Sequence, residues 1–225
     1  LGALDLLYAL FLAVQGVALF GDRAYLQRAG ISFAEYARSG FFQLVGLAGV
    51  NITLILLAVW FYRMDRRLKA LSTVLVGLTG VLLVSAAWRM TLYVSAYGLS
   101  FKRMLTYWGM AVLTVFLALT VGKIWRRGFS FFRAAAPVAL AWWLLLNYCN
   151  VDALVSGYNA AQVEKGRLAY SAVEDLLYDR SGYDGLSVLS EQLTDPDILP
   201  WIQERAAEDC ESWVSWSASA WRASK

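Results

Sequence analysis

The stretch GFFQLVGLAGVNITLILLAVWFY, Gly40 to Tyr62, runs 23 residues without a charged side chain. A helix needs about 20 mostly apolar residues to cross the ~30 Å hydrocarbon core of a bilayer. Lipid offers backbone N–H and C=O groups no partner, and a helix satisfies them internally. The stretch therefore reads as a transmembrane helix. One such run could equally be the central helix of a soluble core, but it does not stand by itself. Ala70 to Trp88 and Met104 to Gly122 are uncharged runs of 19 residues, and Ala134 to Val151 is one of 18. Leu1 to Gly21 is a fifth, interrupted only by Asp5. Together they predict an all-α protein: a polytopic transmembrane helix bundle of about five spans over residues 1–151. Composition agrees. Of 225 residues, 59% are hydrophobic and only 16% charged, against ~25% charged in an average soluble domain. The first run starts at Leu1 without an initiator Met, which reads as a fragment or a processed chain. No basic stretch precedes it, as one would in a signal peptide.

Lys and Arg give the orientation. The segment after the second run carries Arg63, Arg66, Arg67 and Lys69, and the segment after the fourth carries Lys123, Arg126, Arg127 and Arg133. The other side holds Arg23, Arg28, Arg38, Arg89, Lys102 and Arg103. Eight against six favours the first pair as cytoplasmic. The tail, residues 152–225, is then expected outside the cytoplasm. It carries 13 acids and 6 bases, net −7, whereas residues 1–151 carry 14 bases and 4 acids, net +10.

Local signals refine the ends. Ser32-Phe-Ala-Glu35 is a capping box, so the second span starts near Phe33 and protrudes from the bilayer. Gly98 suits a left-handed C-cap and Ser100 an N-cap, so the third helix ends at Tyr97. The tail reads as an acidic, helical extramembrane domain. Its expected helices are 152–165, one from the capping box Ser171-Ala-Val-Glu174 to Gly182, 183–193, and one from Asp195 onward. Leu176, Leu177, Leu186, Leu189, Leu193, Leu199 and Ile202 form its expected core. Cys149 and Cys210 would both face outside, where a disulfide is permitted.

Polar residues in this apolar chain are few. Arg89, Tyr93 and Tyr97 follow i, i+4, i+8 spacing and share a helix face. Glu35 and Arg38 share a face of the preceding span, and Arg103 lies just beyond Ser100. Two readings stand. In one, tyrosines form an interfacial belt and arginines reach headgroups. In the other, Glu35 pairs with Arg38 or Arg89 and leaves a net-positive cup for an anionic lipid or ligand. Gln43, Asn51 and Asn147 are expected to bridge helices, as buried amides in lipid do.

Whole classes of chemistry are unsupported. With no histidine and two cysteines, the common general base and the Cys/His zinc ligand sets are missing. There is no GxSxG elbow, P-loop or GxGxxG. The paired carboxylates of the tail sit where helix caps belong. The expectation is therefore no metal, no cofactor and no nucleic-acid partner. The partners that fit are the lipid bilayer, an anionic lipid or ligand, and a protein met by the acidic tail.

Three segments carry a resemblance: Ala34-Glu-Tyr-Ala-Arg38-Ser-Gly-Phe-Phe42, Tyr97-Gly-Leu-Ser100 with Arg103, and Asn150-Val-Asp-Ala-Leu154 followed by Tyr158-Asn159. With them the chain resembles a bacterial multi-pass membrane family known as domain of unknown function 4173, close to the 4153 group. The resemblance implies an integral protein of the bacterial inner membrane with a helical tail. It transfers no activity, and it singles out Glu35, Arg38, Tyr97, Arg103 and Asn159. Two functions follow as alternatives. One is a non-enzymatic sensor, regulator or assembly subunit. The other is a transporter or lipid-handling domain that binds an anionic ligand at the outer end of spans two and three.

Overall fold

The computed structural model describes residues 1–19, 33–62, 65–126, 128–169, 183–193 and 199–210. Among them every regular element is an α-helix: α1 (Gly2–Leu19), α2 (Phe33–Phe61), α3 (Arg66–Tyr97), α4 (Phe101–Trp125), α5 (Phe131–Tyr148), α6 (Val151–Glu164), α7 (Tyr183–Gln192) and α8 (Leu199–Cys210). The expected tail helix from Ser171 to Gly182 lies outside the described residues, as do Leu176 and Leu177.

Helices α2 (over Gln43–Phe61), α3 and α4 are long and apolar enough to cross a membrane. The bent pair α5 and α6 counts as a fourth span if taken as one. Three or four of the expected five spans are thus found among the described residues. Helix α1 runs over Gly2–Leu19, and among the described residues its apolar stretch is Gly2–Val14. The run from Ala134 to Val151 is divided. Asn150 caps α6 by accepting a hydrogen bond from the Ala153 N–H at 3.2 Å, so α5 stops at Tyr148. Helix α3 also starts earlier than the uncharged run. Asp65 accepts from the Leu68 N–H at 2.8 Å and draws Arg66, Arg67 and Lys69 into the helix.

The chain forms two compact units: residues 1–93 with 106–144, and residues 94–105 with 145–225. In the first, α2 buries Leu44, Ala48, Ile52 and Ile55, a stripe at helical spacing. Helix α3 buries Leu75, Leu82, Leu83, Ala86 and Met90, and α4 buries Met110, Leu117 and Ile124. Their other faces are also apolar: Leu54, Leu57, Val74, Val81 and Val84 are exposed. Helices apolar all round suit lipid rather than water. Indoles tie α3, α4 and α5 together. Trp125 donates to Thr73 at 3.2 Å, and Trp142 donates to the Trp108 carbonyl at 3.1 Å.

In the second unit, Val155 of α6 and the neighbouring Val151 pack with Leu99, Met104, Leu146 and Cys149. Cys149 is a free thiol. Helix α7 packs on α6 and on α8, with Leu189, Leu193 and Ile202 buried.

Candidate functional site

The turn between α3 and α4 in the second unit is held by several hydrogen bonds. Gly98 has φ +75°, a left-handed conformation that costs glycine little. Its N–H bonds to the Val94 carbonyl at 2.9 Å and closes α3. The Ser100 carbonyl accepts from the Met104 N–H at 2.9 Å and opens α4. Arg103 reaches back across the turn. Its guanidinium donates to the carbonyls of Tyr97, at 2.9 Å, and Gly98. Helix C-termini leave such carbonyls without intrahelical partners.

Leu99 stands at the apex, and its two backbone groups meet one side chain. The Leu99 N–H donates to Asn159 Oδ1 at 2.7 Å, and Asn159 Nδ2 donates to the Leu99 carbonyl at 2.7 Å. Asn159 is fully buried on α6, flanked by buried Val155, Ala160 and Val163. Only a carboxamide matches one donor and one acceptor at this spacing. The arrangement holds backbone in place and contains no nucleophile or base.

A second polar centre lies in the first unit. Tyr8 Oη donates to Asn51 Oδ1 at 3.0 Å, and Asn51 Nδ2 donates to Thr79 Oγ1 at 2.9 Å. Thr79 in turn donates to the Leu75 carbonyl. Asn51 is fully buried and links α1, α2 and α3. Among the described residues no group of three His, Cys, Asp or Glu side chains comes together.

The other expected site residues are placed as follows. The side chains of Glu35 and Arg38 lie outside the described residues. Arg89 is buried in the first unit and Tyr93 is half-buried there. Tyr97 is exposed and Arg103 half-buried in the second. Within this set Arg103 meets the Tyr97 carbonyl. Gln43 and Asn147 are exposed on their helices. Tyr8 and Thr79 escaped the sequence reading. Each sits at a position that looks like ordinary span filler, and only the packing shows that both meet Asn51.

These features define a helical, membrane-embedded protein whose polar residues fix helices and turns. The chain belongs to the DUF4153 family, a domain of unknown function, which it matches over residues 1–188. The number 4173 drawn from its motifs is thereby corrected to 4153. No curated protein and no solved structure matches it.

Proposed function

We propose that the protein is a non-enzymatic sensor, regulator or assembly subunit of the bacterial inner membrane. In this reading α1 completes a fifth crossing and residues 152–225 form an extracytoplasmic domain. That domain offers a net charge of −7 to a basic partner. The observation that carries the reading is the pair of Asn159–Leu99 hydrogen bonds. Asn159 stands on the first helix of the domain, and Leu99 joins two of the longest apolar helices. A displacement of the α3–α4 turn is thus handed directly to α6. Nothing in the turn performs chemistry, which fits signal transfer better than turnover.

The test is limited proteolysis of the full chain in lipid discs. Asn159→Ala should speed cleavage within residues 145–225 several-fold while α2 and α3 stay protected. An unchanged cleavage rate sinks the coupling. Labelling a cysteine placed at residue 225 from each side of the membrane checks the orientation. The lipid-handling alternative expected its anionic ligand at the outer end of spans two and three, whereas the cleft of the first unit lies at the last turns of α2, the end read as cytoplasmic.

A further inference from the structure

In the first unit a cleft of about 460 Å³ lies between the last turns of α2 and the connection from α4 to α5. Leu57 and Trp60 line one side, and Phe131 and Phe132 the other. Lys123 and Ser130 are polar groups at its edge. The volume falls within the roughly 300–1,000 Å³ typical of small-molecule sites. Trp60 and Phe132 are largely exposed, at 80% and 74%, so the apolar slot is open.

The polar end has one sign of charge. Lys123 Nζ donates to the Phe129 carbonyl at 2.9 Å. An ammonium has three donors, so this bond fixes its position and uses one of them. The segment from Lys123 to Arg133 also holds Arg126, Arg127 and Arg133 and no acid. Arg126 and Arg133 are exposed. The place on the spans matters as well. The uncharged runs end at Tyr62 and Gly122, so the cleft sits where hydrocarbon gives way to headgroups. Tryptophan and basic residues are expected at that depth.

An apolar slot with a cationic mouth at this depth selects among ligands. A soluble anion leaves the slot unused. A zwitterionic lipid brings its own cation toward Lys123 and a segment that carries no acid. An anionic lipid satisfies both ends. We propose that the cleft binds an anionic glycerophospholipid, with an acyl chain against Leu57, Trp60, Phe131 and Phe132. Its phosphate accepts from Lys123 Nζ, and the Ser130 hydroxyl is a second donor. Charge-assisted bonds of this kind are roughly twice as strong as neutral ones. The site is separate from the Asn159–Leu99 turn and does not rest on the function proposed for it.

The experiment follows thermal unfolding of the full chain in detergent while phosphatidylglycerol, phosphatidylcholine with the same chains, or inorganic phosphate is added. Phosphatidylglycerol should raise the midpoint saturably, and the other two should not. Lys123→Gln keeps a donor for the Phe129 carbonyl but loses the charge, and should weaken the phosphatidylglycerol response about tenfold, as loss of one charge-assisted bond does. Leu57→Trp fills the slot, leaves Lys123 in place and should abolish the response. Several results overturn the proposal: no shift with phosphatidylglycerol, an equal shift with phosphatidylcholine, or a response unchanged in both variants. An equal shift with phosphate alone overturns it too, because it marks a soluble-anion site.

Discussion

Asn159 and Leu99 stand 60 positions apart and are joined by two 2.7 Å hydrogen bonds, the side-chain amide pairing with both backbone groups of one residue. Removing the amide strands a backbone N–H and a C=O in a partly buried turn. Each group left so costs about 1–3 kcal/mol. Asn159→Ala should therefore destabilise the second unit by about 2–4 kcal/mol on the same scale. Asn159→Asp should also destabilise it, because a carboxylate cannot donate to the Leu99 carbonyl. Hydrogen exchange at the Leu99 amide reads the effect directly, and protection equal to wild type in both variants refutes it.

The turn itself supplies a second expectation. At φ +75°, Gly98→Ala forces a side chain into the left-handed region, at a cost of about 1–2 kcal/mol. Gly98→Asn should cost less, since asparagine tolerates that conformation. Denaturation of the two variants against wild type gives the order, and an alanine no worse than the asparagine contradicts it.

How much of this was legible beforehand differs from part to part. Uncharged runs from Gly40 and Ala70 announced α2 and α3 because lipid tolerates little else. Gly98 announced the end of α3 because few residues accept its φ. The division at Asn150 was not legible, since the apolar run continues to Val151 and a single cap overrides it. Asn159 was marked by its motif, but its partner is 60 residues away, and spacing along a chain carries no such contact. The Lys123 cleft was equally hidden, because its walls come from three separate segments.

Asn51 gives a prediction in the first unit. It accepts from Tyr8 and donates to Thr79, and interhelical bonds of this type in membranes are worth about 0.6–2 kcal/mol. Asn51→Leu should lower stability by about 1–3 kcal/mol, because the Tyr8 hydroxyl loses its acceptor. Tyr8→Phe should lower it by less. A double-mutant cycle tests the link: the two losses should be clearly less than additive, and full additivity denies the bond.

At Gly185 α7 packs tightly against α6. A Cβ built there lies 2.6 Å from Ser156 Oγ and 3.3 Å from the Asp152 carbonyl oxygen. Gly185→Ala should therefore cost about 1–3 kcal/mol through overpacking. At Gly157 the nearest atom to an added Cβ is Val188 Cγ1 at 3.5 Å, so Gly157→Ala should be nearly neutral. Ser156 Oγ is buried with no hydrogen-bond partner among the described residues. Ser156→Ala should thus be tolerated alone and should recover part of the loss from Gly185→Ala. Thermal melts of the four variants decide it, and equal damage from both glycine substitutions removes the steric argument.

Asp5 should respond in the opposite direction to Asn51, although both are buried polar residues of the same unit. Neither carboxylate oxygen of Asp5 has a hydrogen-bond partner among the described residues, and only 7% of the residue is exposed. Burying a polar group without a partner is a net cost, and burying a charge costs more. A satisfied group such as Asn51 stabilises, and an unsatisfied one destabilises, because the cost of leaving water is the same and only one is compensated. Asp5→Asn should then raise the unfolding midpoint, by the equivalent of about 1 kcal/mol or more, while Asn51→Leu lowers it. An acid kept in lipid against that cost is itself a functional hint. A loss of stability in Asp5→Asn shows instead that Asp5 is held by a partner beyond the described residues. A gain in stability with altered behaviour of the protein in cells marks Asp5 as a residue retained for function at the expense of the fold.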